Sequence, residues 1–355
     1  MNELQSLTQS VLLAVFGASF ALGFVSQRTH FCTMGAIADV VNMEDWTRAR
    51  QWLLAIGVAM LGFATLSDLG QIDASKSLYA TNRLMWLSCI VGGLMFGYGM
   101  VIASGCANKA LVRMGGGNLK SVVVVMTMGL SAFATIKGLT AVVRVYTVDT
   151  IALDMPAGAS LTALAGGNWV AYVLGVVLIL AALRHKDAWS LENLLAGLGV
   201  GGLVVGMWWI TGHMGFVSEH PETLEPVYLA TSSGRMEAFT FVSPVAQSLD
   251  WLMFFSDKSK VLTTGVASVC GVVAGSWLSA ITSKTFRWEG FANTCDLGNH
   301  LWGGVLMGVG GVTAMGCTFG QGLSGVSTLS LNAFVAITAI VVGAVVAMRR
   351  QMANL

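Results

Sequence analysis

The sequence carries one glycine-rich passage twice, GGLMFGYGMVIASGC at Gly92–Cys106 and GGVLMGVGGVTAMGC at Gly303–Cys317. At a constant offset of 211 residues the two agree at eight of fifteen positions, the Gly-Gly openings and Gly-Cys endings included. In a chain with 43 glycines some matches are expected. The terminal Gly105-Cys106 and Gly316-Cys317 pairs, each closing an apolar run, turn coincidence into duplication. Each thiol is followed by a stretch that suits a short half-helix: Ala107 to Met114, stopped by Gly115-Gly116-Gly117, and Thr318 to Ser324. The two passages read as the mouth of a pore.

Around them the chain is too hydrophobic for a soluble fold. Of 355 residues, 55% are apolar and 10% charged, with only four prolines. That composition predicts an all-α polytopic membrane protein, one membrane domain over 1–355 with no soluble domain. A bilayer-crossing helix needs roughly 17 to 25 apolar residues, and nine runs qualify: 10–26, 51–67, 84–103, 119–137, 167–184, 192–211, 261–282, 299–315 and 330–348. No Lys or Arg precedes Arg28, and no small-residue cleavage box follows the first run, so no cleavable signal is expected.

With nine spans the termini lie on opposite faces. Arg28, Arg48, Arg50, Lys109, Arg113, Lys120, Arg184, Lys186, Lys284, Arg287, Arg349 and Arg350 fall on the side of the C-terminus. The other side has Lys76, Arg83, Lys137, Arg144, Arg235, Lys258 and Lys260. Twelve against seven predicts a cytoplasmic C-terminus and an external N-terminus. Five spans lead from Cys106 to Cys317, an odd number, so the two copies enter from opposite faces as inverted repeats. The expected division is 1–137 for the first repeat, 138–190 for a linker holding the fifth span, and 191–355 for the second repeat. Transporters built this way hold their substrate near the midplane, between broken helices whose N-termini face an anion. Irregular backbone survives at that depth only where it lines a cavity or is buried in protein.

Between the spans, Thr33 to Val41 is apolar but too short to cross, and is expected to dip in or lie along the interface. Glu44-Asp45-Trp46, with Arg48 and Arg50, reads as an interfacial anchor. Residues 138–166 read as interfacial helix plus turn. Residues 212–260 are expected to form one long external loop with a helical piece near Val245 to Phe255, and 283–298 a cytoplasmic loop with Trp288, Asn293, Cys295 and Asp296.

Six cysteines occur, at 32, 89, 106, 270, 295 and 317, with no C-x-x-C, which disfavours a thioredoxin-like pair or a zinc ribbon. Cys89 and Cys270 sit inside apolar spans, where a thiol behaves as a small hydrophobe. Cys32, Cys106 and Cys317 sit where a predicted helix breaks, and Cys295 lies in a loop. A thiol in dry surroundings stays protonated and is a weak S–H donor. A passage lined by such groups suits a soft sulfur anion better than a hard, strongly hydrated one.

Arg28 to Cys32 (Arg-x-x-Phe-Cys), the series Gly97, Gly99, Gly105, Cys106, and the series Gly308, Gly310, Gly316, Cys317 with Gly320-Gln321-Gly322-Leu323-Ser324-Gly325 after it resemble the YeeE/YedE family. Its members are bacterial inner-membrane transporters of sulfur compounds, thiosulfate uptake being the best-defined activity. The resemblance spans nearly the whole chain. It implies an hourglass of nine spans plus short re-entrant helices, and thiols that pass the anion along by S–H···S hydrogen bonds, here Cys32, Cys106 and Cys317. It also implies a small TusA-like sulfur-carrier protein as cytoplasmic receiver; Cys295, on that side, is read separately as a docking or relay thiol. One departure is that Lys109 stands where the second copy has Gly320, and the first copy lacks the Gly-x-Gly turn after its cysteine.

Near these motifs Lys109 and Arg113 either draw the anion toward the inner mouth or snorkel to lipid. Arg28 is close to Cys32, with Asp39 as an alternative partner. Gln321 can donate from its amide. The histidines His30, His185, His213, His220 and His300 lack metal-ligand spacing, so no metal or other cofactor is expected. No G-x-x-x-x-G-K-[ST] loop provides ATP hydrolysis. Importing a dianion against an inside-negative potential costs about 2.3 kcal/mol per charge per 100 mV, so ion symport or consumption of the substrate inside must supply a pull. Three other readings fit the thiols: a membrane thiol redox protein, which would need cysteines that bridge reversibly; a sulfur-species sensor subunit, which would bind without flux; and uptake of a different sulfur or selenium compound.

Overall fold

The computed structural model describes residues 2–219, 224–257 and 260–353. Lys258 and His220 of the sequence reading lie outside the described residues. In hydrocarbon, backbone groups are satisfied only inside a helix or a closed barrel, and this sequence takes the first course almost throughout.

Helix α1 (Asn2–Arg28) is followed by the short α2 (Thr33–Met43) and by α3 (Thr47–Asp68). Next come α4 (Trp86–Ile102), the half-helix α5 (Ala107–Gly115) and α6 (Leu119–Lys137). The connecting region holds α7 (Leu139–Tyr146), α8 (Leu161–Ala165) and α9 (Trp169–Leu183). Then α10 (Leu191–Leu194) runs through a π turn, Leu195–Gly199, into α11 (Val200–Trp209) and a second π turn, Ile210–Met214. After α12 (Val242–Met253), α13 (Thr264–Thr282) and α14 (Thr294–Thr313), a second half-helix covers 318–327 with a π turn at Gly320–Gly325. The last element is α15 (Leu331–Ala353). Two antiparallel ribbons pair Arg83–Leu84 with Leu153–Asp154 and Phe216–Val217 with Val227–Tyr228.

Every run read as a span is helical. Among the described residues seven segments are long and apolar enough to cross a bilayer: Leu4–Met43, Thr47–Asp68, Trp86–Gly115, Leu119–Lys137, Leu191–Met214, Thr264–Thr282 and Leu331–Ala353. The chain is thus an all-α polytopic membrane protein. Of the remaining two predicted spans, α9 has 15 residues, and α14 opens on the polar turn Thr294-Cys295-Asp296, which dilutes its hydropathy.

Helix α4 packs on both α14 and α15, α14 on α6, α1 on α13, and α3 on α9 and α11. The half-helix α5 lies against α13 and α6, while α12 lies against α6 and α13. The duplicated glycines explain the central crossing. A Cβ on Gly99 would stand 2.9 Å from the Gly303 carbonyl oxygen, and one on Gly303 2.8 Å from that of Gly99. Gly92 and Gly310 repeat this reciprocity, each 2.7 Å from the other's carbonyl oxygen. Lipid tails give apolar side chains no reason to leave them for each other, so membrane helices associate through close van der Waals packing, which small residues allow.

The turn after α2 follows the expected anchor. Glu44 takes a left-handed conformation at φ 57°, and the Asp45 carboxylate accepts from the Thr47 hydroxyl at 2.7 Å and amide at 2.9 Å. Those bonds hold the carboxyl below the usual carboxylate range. At the start of α14, Lys120 is 2.9 Å from Asp296, whose carboxylate also lies 3.0 Å from His300 Nδ1.

Among the described residues no segment between Met214 and Thr264 is long and apolar enough to cross a bilayer, and α12 (Val242–Met253) supplies the helical piece expected near Val245 to Phe255; what the sequence did not reveal is that part of this connection is buried. Met236 to Phe239 and Phe241 are buried in irregular backbone that leads straight into α12. Glu237 is drawn in with them because donors meet its carboxylate: Ser233 N at 3.0 Å, Ser232 Oγ at 3.2 Å and Thr264 Oγ1 at 3.3 Å. Averaged over the window, polar flanks conceal an apolar core too short to register as a span.

Substituting Gly99→Val should lower the melting temperature of the detergent-purified protein, since overpacking of this kind costs about 1–3 kcal/mol. Gly202→Ala, where an added Cβ meets nothing within 4 Å, should leave it unchanged or raise it slightly through helix propensity.

Candidate functional site

The three cysteines at helix breaks share one local structure. Two residues ahead of each stands a non-glycine residue in the left-handed region: His30 at φ 52°, Ser104 at 57° and Met315 at 56°. Each cysteine carbonyl then accepts the first bond of a short helix, from Ala36 N at 3.0 Å, Ala110 N at 2.9 Å and Gln321 N at 2.7 Å. All three therefore occupy N-cap positions. The sulfur of Cys32 accepts from Gly35 N at 3.5 Å, and that of Cys317 from Gly320 N at 3.4 Å. A thiol at such a position sits in the positive field of unpaired amides at the helix start.

The breaks converge. Cys32 and Cys106 lie close enough to influence one another, and Thr318, the residue after Cys317, is near Cys106. Cys317 lies 4.0 Å from Thr240 Oγ1. All three thiols belong to one core, with Cys32 5% exposed and Cys106 and Cys317 fully buried. Aromatic rings wall this region: Phe31 stacks on Trp52 with centroids 4.8 Å apart, and Phe319 stands edge-on to Phe31, Trp52 and Phe241 at 5.4 to 5.8 Å.

The other residues singled out from the sequence are placed as follows. Gly105 and Gly316 sit under the side chains of Lys109 and Gln321, where a Cβ would fall 3.3 Å from Lys109 Cγ and 3.1 Å from Gln321 Cγ. Lys109 is electrostatically coupled to Cys32, Cys106, Arg113 and Arg48. Arg113 donates to the Ser104 carbonyl at 2.7 Å, which fixes the left-handed turn before Cys106. The Gln321 amide nitrogen donates to the Ala314 carbonyl at 2.7 Å, so the donor read as a ligand is engaged at the end of α14. Arg28 is exposed at the end of α1, and Asp39 pairs with Arg48 at 3.3 Å instead. Cys89 is buried and bonds Asn332 Oδ1 at 3.7 Å. Cys270, expected to pack inside, is exposed on α13, and Cys295 is exposed in the first turn of α14.

Several polar side chains were not singled out from the sequence. Thr33 Oγ1, Trp52 Nε1, both amide atoms of Asn108, and Thr318 Oγ1 are buried without an ordinary hydrogen-bond partner among the described residues. Buried polar groups are normally satisfied, and each exception calls for a reason. The available signal was position, because Asn108 and Thr318 follow the Gly-Cys pairs within two residues. A cavity of about 380 Å³, lined by Arg144, Ser232, Glu237, Thr240 and Gln321, ends beside Cys317. Tyr79 and Thr81 form part of its wall and of a second cavity of about 410 Å³.

A hydrophilic maleimide applied to the native protein should label Cys295 quickly, and Cys106 and Cys317 only after denaturation. Peptide mapping of labelled cysteines reads this directly; rapid labelling of Cys106 in the folded protein would contradict its burial.

The profile of the family described as "Sulphur transport" matches residues 28–346. Thiosulfate transporter TsuA of Escherichia coli (strain K12) is 26% identical over 342 residues, 94% of this chain and 93% of its own length. Thiosulfate transporter TsuA of Spirochaeta thermophila is 26% identical over 337 residues, 89% and 92% of the two chains. A shorter match, 26% over 104 residues, joins 29% of this chain to 23% of the probable transporter YedE of Escherichia coli (strain K12). Since the family match takes in all three capping thiols and both half-helices, this multi-pass membrane protein belongs to the sulphur transport family, the YeeE/YedE proteins.

Proposed function

We propose that this chain is a carrier, not a catalyst, and that it takes up a small sulfur-containing anion, foremost thiosulfate, across the bacterial inner membrane through a narrow path lined by the thiols of Cys32, Cys106 and Cys317. The observation that carries this reading is that three buried thiols of one core each cap the start of a short helix, with Gly35 N donating to the sulfur of Cys32 and Gly320 N to that of Cys317. On this reading the thiols mark the way from one half-helix start toward the next. Weak, polarisable donors bind a sulfur anion without holding it, and conduction requires a site that can also release its ion. The amide-rich starts of the two half-helices supply a positive field without a fixed charge inside the membrane. The names of the relatives support the substrate class.

The reading includes inverted repeats over 1–137 and 191–355, joined by 138–190. Its support is that packing pairs recur under exchange of the two halves: α1 on α13 corresponds to α11 on α3, α4 on α15 to α14 on α6, and α2 on α15 to α12 on α6. On this scheme the N-terminus is external, the C-terminus cytoplasmic, and α5 dips from the cytoplasmic side. Lys109, Arg113 and Arg48 would then draw the anion to the inner mouth. Exposed Cys295 would lie on that face, where a TusA-like carrier could take the sulfur onward and keep the inward gradient steep.

Uptake of labelled thiosulfate into proteoliposomes tests the reading. The wild type should accumulate label, and Cys106→Ser and Cys317→Ser should each reduce the initial rate at least tenfold, because a hydroxyl is a harder donor on a shorter bond. Full uptake by both variants would eliminate the thiol path.

A further inference from the structure

Thiosulfate has two chemically different ends, a soft terminal sulfur and three hard oxygens. Thiols answer only the first. Transferring the oxygens from water into a buried passage without donors is costly, since an unpaired buried acceptor forfeits its hydration. Hard donors are therefore needed beside the soft ones, and the structure has a set of them that its own folding does not use.

At each of the two fully buried thiols a threonine hydroxyl stands alongside. Thr240 Oγ1 lies 4.0 Å from the sulfur of Cys317, and Thr318, next in the chain, is near Cys106. The Thr318 residue is fully buried, and its hydroxyl has no hydrogen-bond partner among the described residues. Asn108, 1% exposed in the first turn of α5, leaves both amide atoms unpartnered. Thr33, which follows Cys32, repeats the pattern with an unpartnered buried hydroxyl. Fold stability does not account for these groups: an unpaired buried hydroxyl is worse for folding than the valine of equal shape.

We propose that each thiol works with a neighbouring oxygen-directed donor, Thr240 with Cys317 and Thr318, helped by Asn108, with Cys106, so that the path selects anions presenting sulfur and oxygen together. This rests on the sulfur-anion reading above and adds the residues that set its selectivity. The thiol takes the terminal sulfur while the hydroxyl and amide donate to the sulfonate oxygens, and the anion passes from one mixed station to the next. Sulfate lacks the soft end, and hydrosulfide the hard one.

The test uses the full chain in proteoliposomes with labelled thiosulfate. Thr318→Val and Thr240→Val should each raise the KM at least tenfold, the discrimination expected when a polar site loses a partner for its substrate. Thr318→Ser and Thr240→Ser, which keep the hydroxyl, should stay within a few-fold of wild type. Unlabelled sulfate or hydrosulfide in tenfold excess should leave wild-type uptake unchanged, whereas unlabelled thiosulfate competes. Should one valine variant not reconstitute, the other together with the competition series still decides. Wild-type uptake with unaltered KM in the valine variants, or strong competition by hydrosulfide, overturns the paired-donor proposal alone. Absence of uptake by the wild type overturns the transport reading itself, and this inference with it.

Discussion

The crossing of α4 and α14 governs what the rest of the chain can do. Reciprocal glycines, Gly99 against Gly303 and Gly92 against Gly310, let the two backbones touch where any side chain would hold them apart. Each helix ends a few residues beyond this crossing, at Ile102 and at Thr313. Because the crossing fixes where those ends lie, it also fixes where the following half-helices begin. Cys106 and Thr318 lie near one another as a consequence of backbone contact some residues upstream, and a bulky residue in the crossing would act on the thiols without touching them. The glycines of the duplicated passage and its terminal cysteine are thus one device.

Much of this was legible because the bilayer enforces strong rules. Apolar length located the span-like helices, since hydrocarbon admits only helices or closed barrels and runs this long fit the helix. The breaks at Cys32, Cys106 and Cys317 were visible as thiols at the ends of apolar runs. Harder to read was the segment from Met236 to Phe241. It is buried and irregular, has no helical period, contains Glu237 and follows Ser232 and Ser233, whose polarity is met by contacts with one another and with Thr264. Side-chain allegiances were equally hidden. Asp39 chose Arg48 over Arg28, and Gln321 spent its amide on Ala314, because proximity in sequence does not say which way a helix turns its faces.

The difference between the half-helices also acquires a physical form. Matching residue for residue sets Lys109 opposite Gly320, which makes the copies look unlike. The π turn at Gly320–Gly325 inserts an extra residue into the second half-helix. Gln321 nevertheless lies over Gly316 as Lys109 lies over Gly105. One half-helix carries a cation over its first turn, the other a neutral amide. On the proposed path the two entrances would be electrostatically unequal, because a lysine stands on one side and a glutamine on the other.

What cysteine does at these three positions is best judged against what would cap a helix better. Serine, threonine, aspartate and asparagine lead the N-cap ranking because a compact oxygen accepts strongly from the amides of the first turn. Sulfur is a weaker acceptor, and here it accepts at 3.4 to 3.5 Å from Gly320 and Gly35, while Cys106 makes no comparable cap bond. Each of the three short helices is therefore started by a group inferior to a hydroxyl for the structural task. Local folding energy would favour serine at all three sites, by an amount on the order of a hydrogen bond, about 1 kcal/mol. A buried thiol that is the weaker cap is not accounted for by the helix beneath it, and the anion path proposed above would give it a reason. On that proposal the helix would contribute its amides and the sulfur its softness, a combination that would attract an anion without trapping it.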